Sequence, residues 1–421
     1  MEDIVVSGLG IFIESAFRYA HWWVTPILVV IAWRVWVYYV TILFISKMEW
    51  TTLEIKIPRN IAKSPLAMEL VLINAFHQTG GTGNWLAKYW LGKVRMWFSL
   101  EMVSIEGSVH FFMRIPLKPT DFKRLVEAQI YAQYPGVEIH EVPDYTESVP
   151  PFAPDNGWGL WGCEFGLSKA DPYPIKTYVD YGLDKNATSL EAEQQTDPLT
   201  SLIEFMGSMG KGEQLWYQII IRAAWDRHAH EGSDKGWFQK RSWTDVGKEE
   251  MHKLLKRDPK TLMTLKGPDD KGGLLSLSKG EQEVVNAIER SINKPGFDAG
   301  VRMIYLAKKE NFSPIHITGL TGAMKPYNSV SLNGFKVQNG VDVDYPWQDI
   351  TKTKAITKRR GILEAYRKRG YFYPPFGRKD PIVLTSEELA TIYHFPSGVS
   401  ETPSFKRIES KKAEAPNNLP I

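Results

Sequence analysis

VRMWFSLEMVSIEGSVHFFMRI, residues 94–115, decides how the first half of the chain folds. Two alternating runs rich in Val, Ile and Phe, 94–105 and 109–115, flank Glu106-Gly107, the pattern of a β-hairpin. Upstream, TTLEIKI at 51–57 reads as a strand. Ser64-Pro65 then opens a helix, because serine caps and proline suits the first helical position. Leu66, Leu70 and Ile73 follow at helical spacing, and GGTG at 80–83 ends the run. Downstream, Phe122, Val126 and Ile130 share a helix face, Pro135-Gly136 stops that helix, and VEIHEV at 137–142 closes with a strand. The order β-α-β-β-α-β is that of a ferredoxin-like split βαβ unit.

A second unit follows a proline-rich linker at 143–158. IKTYVDY at 175–181 reads as a strand. Asp197-Pro198 repeats the cap-plus-proline start, with Leu199, Leu202, Ile203 and Met206 as a helix face. Residues 214–224 form a strong strand, Ser278 to Glu281 a capping box before a further helix, and AGVRMIYLA at 299–307 a final strand. A polar insertion, 226–275, carries DRHAHEGSDKGW and KGPDDKGG and reads as mobile loops. The expected class is therefore α+β: an N-terminal transmembrane helix, two ferredoxin-like domains and a basic C-terminal segment. The domains are 1–21, an amphipathic segment; 22–46, the span; 47–145 and 146–345, the two ferredoxin-like domains; and 346–421, a basic helix with an extended tail.

Trp22 to Ile45, WWVTPILVVIAWRVWVYYVTILFI, is an apolar run long enough to cross a bilayer of roughly 30 Å. No small-residue cleavage site follows it, which argues against a removed signal peptide. Arg34 near its middle either snorkels or faces a protein partner, or is a functional intramembrane charge. Trp36, Tyr38 and Tyr39 are not at an end, where an aromatic belt is expected. Residues 4–20, with Glu14 and Arg18, read as an interfacial helix, or alternatively as a second span. The lysines after the run and the single cysteine, Cys163, lean toward a single-pass protein of the cytoplasmic membrane with its bulk in the cytoplasm.

The net charge of +3 over 421 residues is too small to imply nucleic-acid binding by itself. The basic character is local: Lys352, Lys354, Lys358, Arg359, Arg360, Arg367, Lys368, Arg369, Arg378 and Lys379 fall among Tyr366, Tyr371, Phe372, Tyr373 and Phe376. Thr385 to Glu388 then caps a short helix with Leu389, Ile392 and Tyr393 on one side. The sequence has no P-loop, H-E-x-x-H, C-x-x-C or G-x-S-x-G. No catalytic residue and no cofactor is expected. Asp226, His228 and His230 offer three metal ligands without a nearby fourth, and an exposed loop is the plainer reading. The basic segment either contacts phosphates with aromatics stacking on bases, or is a solvated helix face, or is a surface for an acidic protein or lipid headgroups.

Four strings together resemble the non-motor region that precedes the ATPase in bacterial conjugation-type (type IV secretion-like) DNA-transfer proteins: VSIEGSVHFFMRIP at 103–116, RLVEAQIYAQYPGVEI at 124–139, YPIKTYVDY at 173–181 and LTSEELATIYHFPSG at 384–398. The resemblance covers nearly everything after about residue 50. In that family a tail like TPSFKRIESKKAEAPNNLP at 402–420 leads into a hexameric HerA/FtsK-like motor, which this sequence lacks. It implies a membrane-anchored, homo-oligomeric docking subunit for a separately encoded hexameric motor ATPase. The contacts would be Lys358, Arg359, Arg360, Arg367, Lys368, Arg369, Leu389 and Tyr393. DNA is a further possible partner. The alternatives are a membrane-bound single-strand nucleic-acid binder and a metal-dependent enzyme.

Overall fold

The computed structural model describes residues 20–58, 63–77, 84–184, 197–224, 242–255, 278–342, 345–377 and 381–396. Two compact units are present: Met1–Met48 with Gly80–Arg95, and Glu49–Thr79 with Met96–Ile421. The first contains helix α1 (Ala20–Ser46). Its portion Val24–Ser46, 23 residues, is long and apolar enough to cross a membrane. The predicted helix at 4–20 lies outside the described residues, apart from Ala20.

The second unit is built on one sheet. Its first half runs β1 (Trp50–Lys56), α2 (Leu66–Val71, continued by a π-helical turn Leu72–Phe76), β2 (Phe98–Ile105), β3 (Ser108–Pro116), α4 (Lys123–Gln133) and β4 (Glu138–Val142). Between α2 and β2 the chain visits the first unit, where it forms the short helix α3 (Trp85–Tyr89). The hairpin turn has φ 51° at Glu106 and 83° at Gly107, two left-handed residues that match the twist of the flanking strands. The second half runs β5 (Trp158–Leu167), α5 (Pro198–Gly207), β6 (Glu213–Ala223), α6 (Trp243–Leu254), α7 (Lys279–Ile292), β7 (Gly296–Lys308), α8 (Ile315–Gly322) and β8 (Phe335–Gly340). Asp197 caps α5 by accepting from the Leu199 N–H, and Ser278 caps α7 through its box with Glu281. The chain ends in α9 (Thr353–Arg367), β9 (Ile382–Thr385) and α10 (Ser386–Ile392).

The strand order is β4-β1-β3-β2-β6-β7-β5-β8, every pair antiparallel, with β9 added beside the start of β7. Within each half the four strands follow the same order: the first strand sits between the fourth and the third, and the second lies at the junction. The two halves meet through β2 and β6, Val103 opposite Trp216. They form one continuous sheet, not two separate ones.

Two expectations are corrected. The segment 175–181 is not a strand; the first strand of the second half is β5, most of which lies beyond the predicted linker. Its N–H groups are already committed: Ile175 donates to Glu388, Thr177 to Asp180 and Tyr178 to the Thr391 hydroxyl. The insertion at 226–275 includes helix α6, with both halves of a capping box from Ser242 and Asp245. Its two quoted polar runs lie outside the described residues.

The sheet is covered on both faces. Ser104 donates to the Met206 carbonyl of α5, while Glu101, three residues earlier and on the opposite face, meets the end of α9. Close packing on the α9 side appears at Gly300, where an added Cβ would lie 2.6 Å from atoms of the Tyr371 ring. Gly300→Ala should therefore destabilise the protein by about 1–3 kcal/mol. In a Tyr371→Ala background the cost should shrink to a few tenths, a coupling readable by urea denaturation in a double-mutant cycle.

Candidate functional site: the clamped C-terminal helix

On the α9 face a row of polar side chains crosses the sheet. The register places Glu101 opposite Gln218, Gln218 opposite Arg302, Arg302 opposite Glu164 and Glu164 opposite Asn339. Directly opposed residues share a face, so five strands contribute to one line. The Gln218 amide donates to Glu101 at 2.9 Å, Arg302 donates to Gln218 at 3.1 Å and to Glu164 at 2.8 Å, and Asn339 donates to Glu164 at 3.0 Å. Glu101, Glu164, Gln218 and Arg302 are all buried. Buried charges need such partners, since desolvation costs several kcal/mol per ion.

The end of α9 closes over this row. Arg369, 2% exposed and with φ 47°, donates to Glu101 at 2.9 and 3.0 Å and to both carboxylate oxygens of Asp144. Gln218 also donates to the Tyr366 carbonyl, and Arg302 to that of Gly370. Tyr145 donates to Glu101 at 2.7 Å and its hydroxyl lies 2.8 Å from that of Tyr366. The Trp97 indole donates to the Arg369 carbonyl at 3.0 Å. Burial pushes the Glu101 carboxyl up, but the Arg369 guanidinium outweighs it and holds the group below its ordinary range. Asp144 behaves alike, lowered by Arg369 and Arg114 against its desolvation. Arg369 itself is desolvated, yet Glu101 and Asp144 hold its affinity for the proton well above normal.

This placement divides the residues expected to contact a partner. Lys358, Arg360 and Lys368 are exposed and Arg359 is half-buried, so they stand at the surface of α9 or beside its end. Several nevertheless have intramolecular duties: Lys358 donates to the Gly340 and Asp342 carbonyls, Arg360 to Phe152 and Arg367 to Val149. Arg369, Leu389 and Tyr393 are corrected. Arg369 neutralises the buried Glu101 and the half-buried Asp144, and Leu389 and Tyr393 are fully buried in this chain's own core. Tyr393 packs edge-on against Phe111, 5.9 Å between ring centres. Arg378 and Lys379 fall outside the described residues, as do Asp226, His228 and His230. Among the described residues no group of three or more His, Cys, Asp and Glu side chains is placed to hold a metal ion.

Sequence reasoning missed two neighbours of α9. Tyr345 and Trp347 stack with ring centres 4.5 Å apart, and with Ile350 they are exposed by 50%, 69% and 84%. They lie just before the basic helix in sequence, a signal obscured by the sparse pattern of that loop. An open cleft of about 680 Å³ lies between α9 and the β5–β8 edge, lined by Trp161, Glu164, Asn339, Asp342 and Lys358 among others. The Trp161 indole donates to Asp342 there at 2.5 Å.

A family profile described as "Domain of unknown function (DUF8128)" matches residues 46–407. The chain belongs to this family. The DUF8128 match takes in every strand of the sheet, the clamp and α10, and starts at the last residue of α1. No curated protein matches the chain. The core of this DUF8128 chain holds a second ionic cluster among α2, α7 and α10. Glu69 accepts from Tyr178, Ser386 and Lys294, while Arg290 pairs with Asp180 and Glu387. Glu388 accepts from the Ile175 N–H and from both the N–H and hydroxyl of Thr385. Burial nevertheless pushes its carboxyl up to about 7.

Two outcomes are expected. Arg369→Met should cost about 3–5 kcal/mol, because it strands the fully buried Glu101 carboxylate, whereas Asp144 keeps its pair with Arg114. The depressed Glu101 and Asp144 carboxyls stabilise the fold above their unfolded values. That contribution disappears as pH falls below about 4, and the variant's acid-unfolding curve should lose this component. Glu388 has the opposite sign. Its raised folded value favours the native state below the unfolded value, and this is lost as pH rises toward 7 and above. Between pH 5.5 and 8 it should remove on the order of 2 kcal/mol, a slope that Glu388→Gln flattens in urea titrations of the detergent-purified protein.

Proposed function

We propose that this chain is a membrane-anchored docking subunit that recruits a separately encoded motor ATPase of a type IV secretion-like translocation system. The carrying observation is the state of α9. Its inner side, Ile362, Leu363, Ala365 and Tyr366, is buried on the sheet and its end is clamped by the ion pairs of Arg369, while Lys354, Arg360 and Lys368 face outward and Tyr345, Trp347 and Ile350 stand exposed before it. A rigid platform with exposed aromatic anchors and a surrounding cationic rim has the make-up of a protein-binding surface. The resemblance of the sequence to the region preceding such motors supplies the identity of the partner. The cations orient an acidic partner, and the anchors supply the affinity.

In the same reading α1 spans the cytoplasmic membrane once, with residues 47–421 in the cytoplasm, and the protein works as a homo-oligomer without chemistry of its own. The two halves of the sheet are two ferredoxin-like (split βαβ) domains joined edge to edge, a reading supported by their shared strand order and alternation.

A second reading, single-strand nucleic-acid binding, is favoured by the stacked Tyr345–Trp347 pair beside lysines, since bases stack on such rings. The two are separable. Removing residues from 384 onward would delete α10 and the last residues of β9, which belong to the core, so the informative truncation ends at Pro396. Trp347→Ser with Ile350→Ser should weaken co-purification with the motor at least about tenfold, the loss of one good hot spot, without changing the unfolding midpoint. Unchanged co-purification would defeat the docking assignment. Salt-sensitive binding to a labelled oligonucleotide, lost in the same variant, would put the nucleic-acid reading in its place.

A further inference from the structure

We propose that Asn84–Lys93, NWLAKYWLGK, is a second membrane-binding element, embedded in lipid alongside the C-terminal half of α1. The inference rests on reading α1 as a span and adds a second point of attachment to it. Geometry comes first. The Trp85 ring stacks on that of Trp33 with centres 6.3 Å apart, Tyr89 lies 5.8 Å from Trp33, and Trp90 lies 5.3 Å from Trp36. The Trp36 indole donates to the Tyr89 carbonyl at 3.1 Å. Gly92, with φ +66°, lets the backbone close on α1: a Cβ there would fall 2.1 Å from the Val40 carbonyl oxygen. Trp33, Trp36 and Val40 precede Ser46 by 13, 10 and 6 residues, which is roughly 20, 15 and 9 Å along the helix axis. The segment therefore runs beside the apolar helix well inside its length.

Exposure comes second. Trp85, Leu86, Trp90 and Leu91 are 61%, 53%, 54% and 61% exposed, four large apolar side chains within seven residues. Soluble surfaces rarely carry such a patch without a partner. It is continuous with the exposed face of α1, where Trp36, Tyr38 and Tyr39 are 36%, 48% and 57% exposed. The aromatics Trp33 and Trp36, which lie away from the ends of α1, thus join Trp85, Tyr89 and Trp90 in one aromatic cluster along the flank of the helix.

Backbone satisfaction comes third. Lipid offers no hydrogen bonds, so an embedded segment must satisfy its own donors. Ala87 donates to the Asn84 side chain, Lys88 to the Asn84 carbonyl, Trp90 and Leu91 to Leu86, and Lys93 to Ala87. Lys88 and Lys93 are exposed and can carry their ammonium groups back to anionic headgroups.

The test uses nitroxide labels on the full chain in nanodiscs of mixed phosphatidylcholine and phosphatidylglycerol. Cys163 is fully buried, so introduced cysteines are the reactive ones. Leu86→Cys and Leu91→Cys are compared with Val29→Cys on α1 and with the exposed Lys118→Cys on the sheet unit. Labels at 86 and 91 should collide with oxygen and lose collisions with a water-soluble nickel chelate, as at 29. If 86 and 91 behave like 118 while 29 stays in lipid, the inference fails and the span stands. If 29 is also in water, the span reading fails and the inference with it. Labels shielded from both reagents would mean that protein, not lipid, covers the segment, and would overturn the proposal.

Discussion

Neutralising the fully buried Glu101 carboxylate with Arg369, which also pairs with the half-buried Asp144, is the constraint around which the sheet unit is arranged. Glu101 lies on β2, the strand where the two halves meet, and is fully buried. Asp144 follows β4 at the far edge of the first half. Arg369 reaches both, so a residue beyond the end of α9 ties the central junction of the sheet to its edge. An apolar residue in place of Arg369, over an apolar strand, would have packed with less cost of desolvation. The ionic arrangement instead fixes one register for the helix: guanidinium geometry accepts few placements, whereas a greasy contact slides.

The same row explains why the sheet continues across its centre. Hydrogen bonds from Gln218 and Arg302 carry the polar line from β2 through β6 and β7 to β5. The α9 face is therefore cohesive through directional bonds, and the opposite face through apolar burial of residues such as Leu100, Met102 and Ile219. Phe372 adds a third mode, its ring 4.4 Å from the Arg222 guanidinium, which also pairs with Asp298 opposite it.

Much of this was legible in the sequence, for local reasons. The hairpin at Glu106-Gly107, the Asp197-Pro198 start and the Ser278 and Thr385 capping boxes all depend on residues within a few positions of one another. The errors share the opposite cause. IKTYVDY alternates like a strand, but its backbone donors are taken by carboxylate and hydroxyl groups, two of them more than 200 residues away. WGLWGCEFGL, which the sequence reading passed over, is β5, where Gly162 admits the Ile362 side chain of α9. The basic segment was recognised by composition. Which of its charges point inward was not, because Arg369 finds its acids 225 and 268 residues upstream.

That separation has a consequence for biosynthesis. The ribosome adds about 5–20 residues per second, so Glu101 waits roughly 15–50 s for Arg369 to be made. Throughout that interval the central junction carries an uncompensated acid and cannot close as it does in the finished protein. α1, by contrast, is complete within the first 46 residues. The sheet is thus sealed late: its central junction stays open to water until the segment after α9, 268 residues beyond Glu101, has been made.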